Sequence, residues 1–203
     1  MGIKSALLTS SLVFAGLSVA PTDVTAAPQF ILFDMVPSAG AASCLPRARG
    51  HVRVVSFGPA EQLLVTVEGL PPNTDFDFFV IQVPTAPFGL AWYQGDIETD
   101  DSGRGAAMFI GRFSSETFIV APGTAPAPDV HPGGQFPDAT SNPPTAPVHT
   151  FHLGLWFNSP DDAAKAKCAN TETPFNGDHT AGIQVLNTSN FAADQGPLRQ
   201  LSP

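Results

Sequence analysis

Charge is scarce in this chain. Of its 203 residues, 13% are Asp, Glu, Lys or Arg, about half the usual quarter. Lys and Arg together number 9 against 18 Asp and Glu, which gives a formal net charge of −9. A nucleic-acid-binding surface needs a basic stripe that displaces counterions from phosphates, and so few cations do not build one. Anionic membrane surfaces are disfavoured for the same reason. The chain also lacks the composition of long helices and coiled coils, roughly half Ala, Glu, Lys, Leu and Arg. Beyond residue 20, no apolar run approaches the roughly 20 residues that span a bilayer. No Gly-x-Ser-x-Gly, His-Glu-x-x-His or phosphate loop occurs, so no motif announces a catalytic residue. Neither cysteine sits in a Cys-x-x-Cys or Cys/His spacing, which argues against zinc.

What is plentiful is Pro and Gly, 21 and 18 residues, roughly a fifth of the chain against about 12% in average proteins. Sixteen Phe and a hydrophobic fraction of 43% supply a core, which excludes disorder over the full length. One domain is the expectation at this length.

The first 26 residues read as an export signal. Lys4 supplies a positive n-region, and residues 6–20 are an uncharged apolar h-region. Val24-Thr25-Ala26 then offers small residues at the −3 and −1 positions of a cleavage site. The apolar run of about 15 residues is short of a membrane span. A cleaved signal at 1–26 is therefore expected, leaving 27–203 as one secreted domain without membrane insertion. Lys4 and Asp23 leave together, so the net charge is unchanged. An even pair of cysteines in an exported chain favours a disulfide between Cys44 and Cys168; two buried free thiols are the alternative. The chain-entropy estimate for so long a closure is about 5 kcal/mol before native strain. Asn187-Thr188-Ser189 fits a glycosylation sequon.

The remainder alternates between short apolar runs and turn residues. Candidate strands lie at 29–35, 50–57, 62–68, 76–83, 90–99, 105–113, 117–120, 148–158 and 182–187, about nine at the spacing of β-sandwiches and barrels. In 62–68 the alternation puts Leu63, Val65 and Val67 on one face. The run 76–83 is apolar on both faces, as a central strand would be. Within 148–158, Leu153, Leu155 and Phe157 form the expected core face. Trp156 falls on the other face, either half-exposed or closing a second sheet. Only 160–168 looks helical, with Asp161 and Asp162 at its start and Lys165 and Lys167 at its end. Residues 121–147 stand apart. Eight Pro and three Gly lie there, with little periodicity, and a structureless stretch of this length is uncommon inside a domain. The two good strands after it are too few for an independent sheet, so it reads as a long excursion from one domain.

Leu70-Pro-Pro-Asn-Thr-Asp-Phe76 follows one strand and precedes another. It resembles the L-x-P-x-T-x-Y corner of fibronectin type III-like sandwiches, in which the Tyr hydroxyl bonds back to the corner backbone. Phe76 occupies the Tyr place here, so that bond cannot form. The family places this corner late in its domain, whereas many strands follow it here, so the strand order should depart from a type III module. The resemblance covers residues 70–83. It implies an all-β, antiparallel, immunoglobulin- or fibronectin III-like β-sandwich with Greek-key-like connections, to which the residues themselves add one long Pro-rich loop and at most one short helix. It implies no function.

The strand at 90–99 holds the candidate ligand-binding residues. Period two puts Trp92, Gln94, Asp96 and Glu98 on one face, and Tyr93, Gly95 and Ile97 on the other. An indole, an amide and two carboxylates in a row suit a sugar, the ring covering C–H faces while polar groups take hydroxyls; an ordinary solvated face is the alternative. Asp96-Ile97-Glu98 also resembles the catalytic strand of laminarinase-like jelly-roll glycosidases, which carry a further Glu on that strand. Here Asp100 and Asp101 enter a turn instead. Same-face residues on a strand are about 6.5–7 Å apart at Cα, against the about 5–5.5 Å between carboxyls in retaining glycosidases. The acids Asp96, Glu98, Asp100 and Asp101 suggest calcium, but Asp100-Asp-Ser-Gly-Arg-Gly105 makes a hairpin turn without metal, and Arg104 opposes a cation. Five histidines are present: His51, His131, His149, His152 and His179. His149 and His152 point to opposite faces of one strand and so do not chelate together. The resulting expectation is a secreted, non-catalytic binding or structural module with no cofactor or metal, its ligand a carbohydrate or a protein. The alternative is a secreted enzyme, either a carboxylate-dependent glycoside hydrolase or a His-ligated metalloprotein.

Overall fold

The computed structural model describes residues 30–57, 60–89, 91–111, 113, 150–174 and 180–201. The export signal, the candidate strand at 117–120 and the Pro-rich excursion lie outside them. The described strands are β1 (Phe30–Pro37), β2 (Arg49–Ser56), β3 (Glu61–Glu68), β4 (Asp75–Ile81), β5 (Ala91–Glu98), β6 (Gly105–Gly111), β7 (His152–Phe157), β8 (Thr173–Pro174), β9 (Thr180–Ala181) and β10 (Gln184–Asn187). One helix, α1 (Pro160–Lys165), follows β7, and a 3₁₀ turn (Pro197–Gln200) lies near the C-terminal end. The all-β expectation holds, and eight of the strands fall on the predicted apolar runs.

Those eight strands form one antiparallel sheet in the order β5-β4-β7-β10-β1-β2-β3-β6. β8 and β9 make a separate ribbon. β1 is the seam of the large sheet. Its Phe30 to Met35 pair with β2, while Val36 and Pro37 pair with β10. The sheet thus curves so that its two halves, β1-β2-β3-β6 and β10-β7-β4-β5, enclose a common core. Alternation decides the inner face: Val52, Val54, Leu63 and Val65 from one half meet Phe76, Phe78, Leu153 and Leu155 from the other, all buried.

The two edges, β5 and β6, approach each other, so the sheet is nearly closed into a barrel. They are joined by one bridge, Thr99 to Gly105, and by a ring. Phe109 of β6 stacks on Phe78 of β4 at 5.2 Å between centroids, with planes 10° apart. Gly95 of β5 makes room for it: its φ is +148°, and a Cβ there would lie 3.0 Å from Phe109 Cε1.

The Leu70–Phe76 corner is latched by a residue the sequence pattern does not single out. Thr99 Oγ1 donates to Pro71 O at 2.7 Å and accepts from Thr74 N at 3.0 Å. A threonine from the neighbouring strand therefore does what the missing Tyr hydroxyl does elsewhere. Phe76 lies fully buried against Phe157, 5.1 Å between ring centroids. The 100–104 turn closes on the same corner. Leu70 N donates to Gly103 O, and Gly103 has φ +73°, with Leu70 O only 2.0 Å from where its Cβ would be.

The disulfide is formed. Cys44 and Cys168 are joined, with Cα atoms 5.3 Å apart. The bridge ties the connection after β1 to the chain just beyond α1. The helix starts where the sequence indicates: Ser159 Oγ accepts from Asp162 N at 3.2 Å, Pro160 opens the first turn and Lys165 closes the last. No described helix is long and apolar enough to cross a membrane.

Candidate functional site

β5 is not a regular strand. Against β4 it pairs Ile97 with Phe76 and Gly95 with Phe78, then skips one residue and pairs Tyr93 with Phe79 and Trp92 with Val80. Gln94 is the extra residue of a β-bulge, which reverses the facing of everything beyond it. The expectation that Trp92, Gln94, Asp96 and Glu98 share one face is corrected accordingly. Asp96 and Glu98 do share the outer face. Trp92 turns to the side of Ile97, where it stands at the rim, 48% exposed. Tyr93 takes its place beside the acids. The signal for this was Gly95, since a glycine inside a strand often marks a bulge.

The outer face beside β5 is more acidic than its own sequence indicates, because β4 contributes as well. Asp75 is directly opposite Glu98, and Asp77 is opposite Asp96. The reading of 76–83 as apolar on both faces overlooks Asp77, and Asp75 falls one residue before that run; only the next outward residues, Phe79 and Ile81, are apolar. Directly opposed like charges repel across a strand pair. Burial pushes the Asp75 carboxyl above its usual range, and the neighbouring Asp96 adds to this. Tyr93 Oη donates to Asp96 Oδ1 at 2.5 Å. Burial, followed by that bond to Asp96, pushes the Tyr93 phenol well above its usual range. The face is a short acidic strip bordered by one phenol ring, with a half-exposed indole around the edge of the same strand.

The remaining acids have local tasks. Asp100 Oδ1 accepts from Ser102 N at 2.8 Å, Ser102 Oγ at 2.7 Å and Arg104 N at 3.0 Å. The Ser102 hydroxyl bond, with the backbone bonds behind it, holds its pKa below the usual range. Its carboxylate stabilises its own turn. Among the described residues, no three His, Cys, Asp or Glu side chains gather so as to hold a metal ion. Of the two described histidines, His51 pairs with Asp34 at 2.7 Å on the surface. His152 is fully buried. Its Nδ1 lies 2.8 Å from Thr188 Oγ1 and its Nε2 3.2 Å from Ala193 O. A carbonyl can only accept, so Nε2 carries the proton and Nδ1 accepts from Thr188, whose oxygen in turn accepts from Leu153 N. Burial holds the His152 pKa below its ordinary value. His131, His149 and His179 lie outside the described residues.

Trp156 is neither exposed nor half-exposed. It lies fully buried in a second apolar cluster with Phe79 and Ile81 on the outer face. Phe88, from the loop between β4 and β5, covers it edge-on at 5.0 Å. The same loop takes the sequon out of reach: Asn187 Nδ2 donates to Pro84 O at 3.0 Å and to Gln184 Oε1 at 2.8 Å, and both bonds are buried. On the other half of the sheet, a shallow cavity of about 540 Å³ is lined by His51, Thr66, Glu68, Asp100 and Arg104 among others. Arg104 lies 3.8 Å from Glu68 there. No family model matches the chain, and no curated protein matches it in sequence.

Proposed function

We propose that the chain is a secreted, non-catalytic binding or structural module of sandwich type, with the two sheet halves as its layers and β1 as their seam. Its ligand, a carbohydrate or a partner protein, is met along the edge strand β5. The observation that carries this reading is the pair Trp92 and Tyr93, both substantially exposed on one edge strand, with Gln94, Asp96 and Glu98 beside them. A planar ring next to hydrogen-bonding carboxylates suits a polyol, whose C–H faces pack on the ring while its hydroxyls donate to the acids. Export is supported by the disulfide, because such bonds persist in oxidising compartments. The net charge of −9 opposes nucleic acid as the ligand.

A glycan array followed by calorimetry on the best hit tests the proposal. Binding that Trp92→Ala or Tyr93→Ala weakens at least about tenfold, roughly 1.4 kcal/mol, supports it. Binding indifferent to both substitutions rejects the β5 edge. Turnover of a glycan, lost on Asp96→Asn, would replace the binding module with a carboxylate-dependent hydrolase. Stoichiometric metal in the purified protein would replace it with a His-ligated metalloprotein.

A further inference from the structure

The outer face of β1, β2, β3 and β6 is apolar at one end and charged at the other. Register stacks its outward residues in rows across four strands. One row is Phe30, Val55, Gln62 and Ile110; the next is Leu32, Arg53, Leu64 and Met108. The third is Asp34, His51, Thr66 and Ala106, and Arg49 opposite Glu68 ends the face. Phe30, Leu32, Met108 and Ile110 are each more than half exposed. Phe30 and Leu32 lie on β1 and Met108 and Ile110 on β6; Val55 and Leu64 join the two pairs across the middle strands, with Arg53 and Gln62 beside them. Patches of several hundred Å² on a monomer mark interaction surfaces.

We infer that this face is the interface of a symmetric dimer, a second copy of the chain being its occupant. Two observations favour a copy. The first is size. Four strands at about 4.8 Å spacing, with their side chains, make a face of roughly 20 by 25 Å. Covering it removes on the order of 500 Å² or more from each subunit, about 1,000 Å² in all, which reaches the lower bound of a specific interface. The second is self-complementarity. A two-fold axis running along the strands, between β2 and β3, keeps each row in place and reverses the strand order. β1 then faces β6 of the copy, and β2 faces β3. Leu32 meets Met108, Phe30 meets Ile110, His51 meets Thr66 and Arg49 meets Glu68. No like charges are brought together. An axis across the strands at the middle of the face, between the second and third rows, would set Arg53 against His51 and Leu32 against Asp34. Packing of two twisted sheets at about 30° weights the contact toward the central rows, where Arg53 and Leu64 meet.

Sedimentation equilibrium of the purified protein, together with a cross-link, tests this. The dimer is expected to have a Kd of about 1 µM or tighter for an interface of this size. Leu32→Asp should raise Kd about tenfold or more, because it sets a carboxylate against Met108 of the copy, with an unchanged circular dichroism spectrum because Leu32 is 66% exposed. In the double variant Leu32→Cys, Met108→Cys, oxidation should give a covalent dimer. The two positions are three strands apart in one chain, too far for an internal bridge. A monomer at about 100 µM, well above that Kd, overturns the inference, whether hydrogen exchange then finds the face open or covered by residues 114–149. A dimer that survives Leu32→Asp and fails to cross-link overturns it as well.

Discussion

Two stretches of the outer surface have similar residues and opposite fates. On β4 and β7, the outward Phe79, Ile81 and Trp156 are at most 3% exposed. On β1 and β6, the outward Leu32 and Ile110 are 66% and 67% exposed. Sheet geometry is the same in both, and both halves bury their inner face in one core. What differs is a connection. The loop from β4 to β5 folds back over its own half and lays Phe88 on Trp156, with Asn187 holding Pro84 in place. The connection from β2 to β3 has only the four residues 57–60, too short a length of chain to fold back across four strands. Hydrophobicity on an outer face therefore does not say whether that face is core. The reach of the neighbouring loop decides it.

The disulfide links the two halves and should be the largest single term that couples them. Replacing both Cys44 and Cys168 by Ser is expected to cost about 3–5 kcal/mol in urea unfolding, in line with loss of a native bridge over a long closure. The transition should stay single. A biphasic curve would mean that the covered half unfolds independently, and the comparison would become one between two domains.

Within the covered half, Trp156→Ala should cost about 3–5 kcal/mol, because it leaves a cavity under Phe88. On dissociated monomer, Ile110→Ala should stay within about 0.5 kcal/mol. Equal effects would show that the bare face is covered in solution by the same chain. Phe88→Ala tests the cover itself. Phe88 is only partly buried, so a loss of about 1–2 kcal/mol is expected. In a Trp92→Phe background, Trp156 is the sole tryptophan, and Phe88→Ala should make its fluorescence accessible to a polar quencher. Unchanged quenching would show that Phe88 is not what hides it.

Much of this fold was legible because its strands obey period two. Leu63, Val65 and Val67 alternate in the sequence and are buried in the structure, and the turn at Asp100 behaves as its residues dictate. The site was legible only in part. The outward direction of Trp92 depends on one inserted residue, Gln94, and a single bulge flips every side chain beyond it. Asp75 and Asp77 were hidden by their neighbours. Phe76, Phe78, Phe79, Val80 and Ile81 gave the run a buried look, and only pairing with β5 brings the two acids opposite Asp96 and Glu98. The Thr99 latch and the Phe88 cover are contacts between segments far apart in sequence, for which local pattern holds no signal.

Acid should weaken the covered half through His152. Its folded pKa lies below the unfolded value of about 6.5, so the unfolded chain takes up a proton first. Stability present above pH ~6.5 is lost as pH falls from there through the folded pKa. Asp75 acts in the opposite sense. Its folded pKa lies above the usual value, so its contribution is complete below the unfolded pKa and disappears as pH rises through the folded one. Melting temperatures across pH 4–7.5 should therefore drop on the first part of the acid limb, and His152→Gln should flatten that drop. A drop of the same size in His152→Gln would assign it elsewhere.

The smallest expected effect has the opposite sign. Asp96→Asn removes one charge from a strand pair in which Asp77 and Asp96 stand directly opposed, and Asn keeps an oxygen to accept from Tyr93. A gain of a few tenths of a kcal/mol is expected, the size of a cross-strand pair term. Added salt should stabilise the native chain, because it screens the exposed Asp96 and Glu98 and the half-buried Asp75 from one another, and should stabilise Asp96→Asn less. A variant that is less stable than the native chain would mean that Asp96 contributes more through its Tyr93 bond than it costs through repulsion. If the variant gains stability and also loses a glycan that the native protein binds, the acidic strip is a functional surface maintained at some expense of fold. The apolar cluster of Phe79, Ile81 and Trp156, further along the same outer face, makes no such compromise.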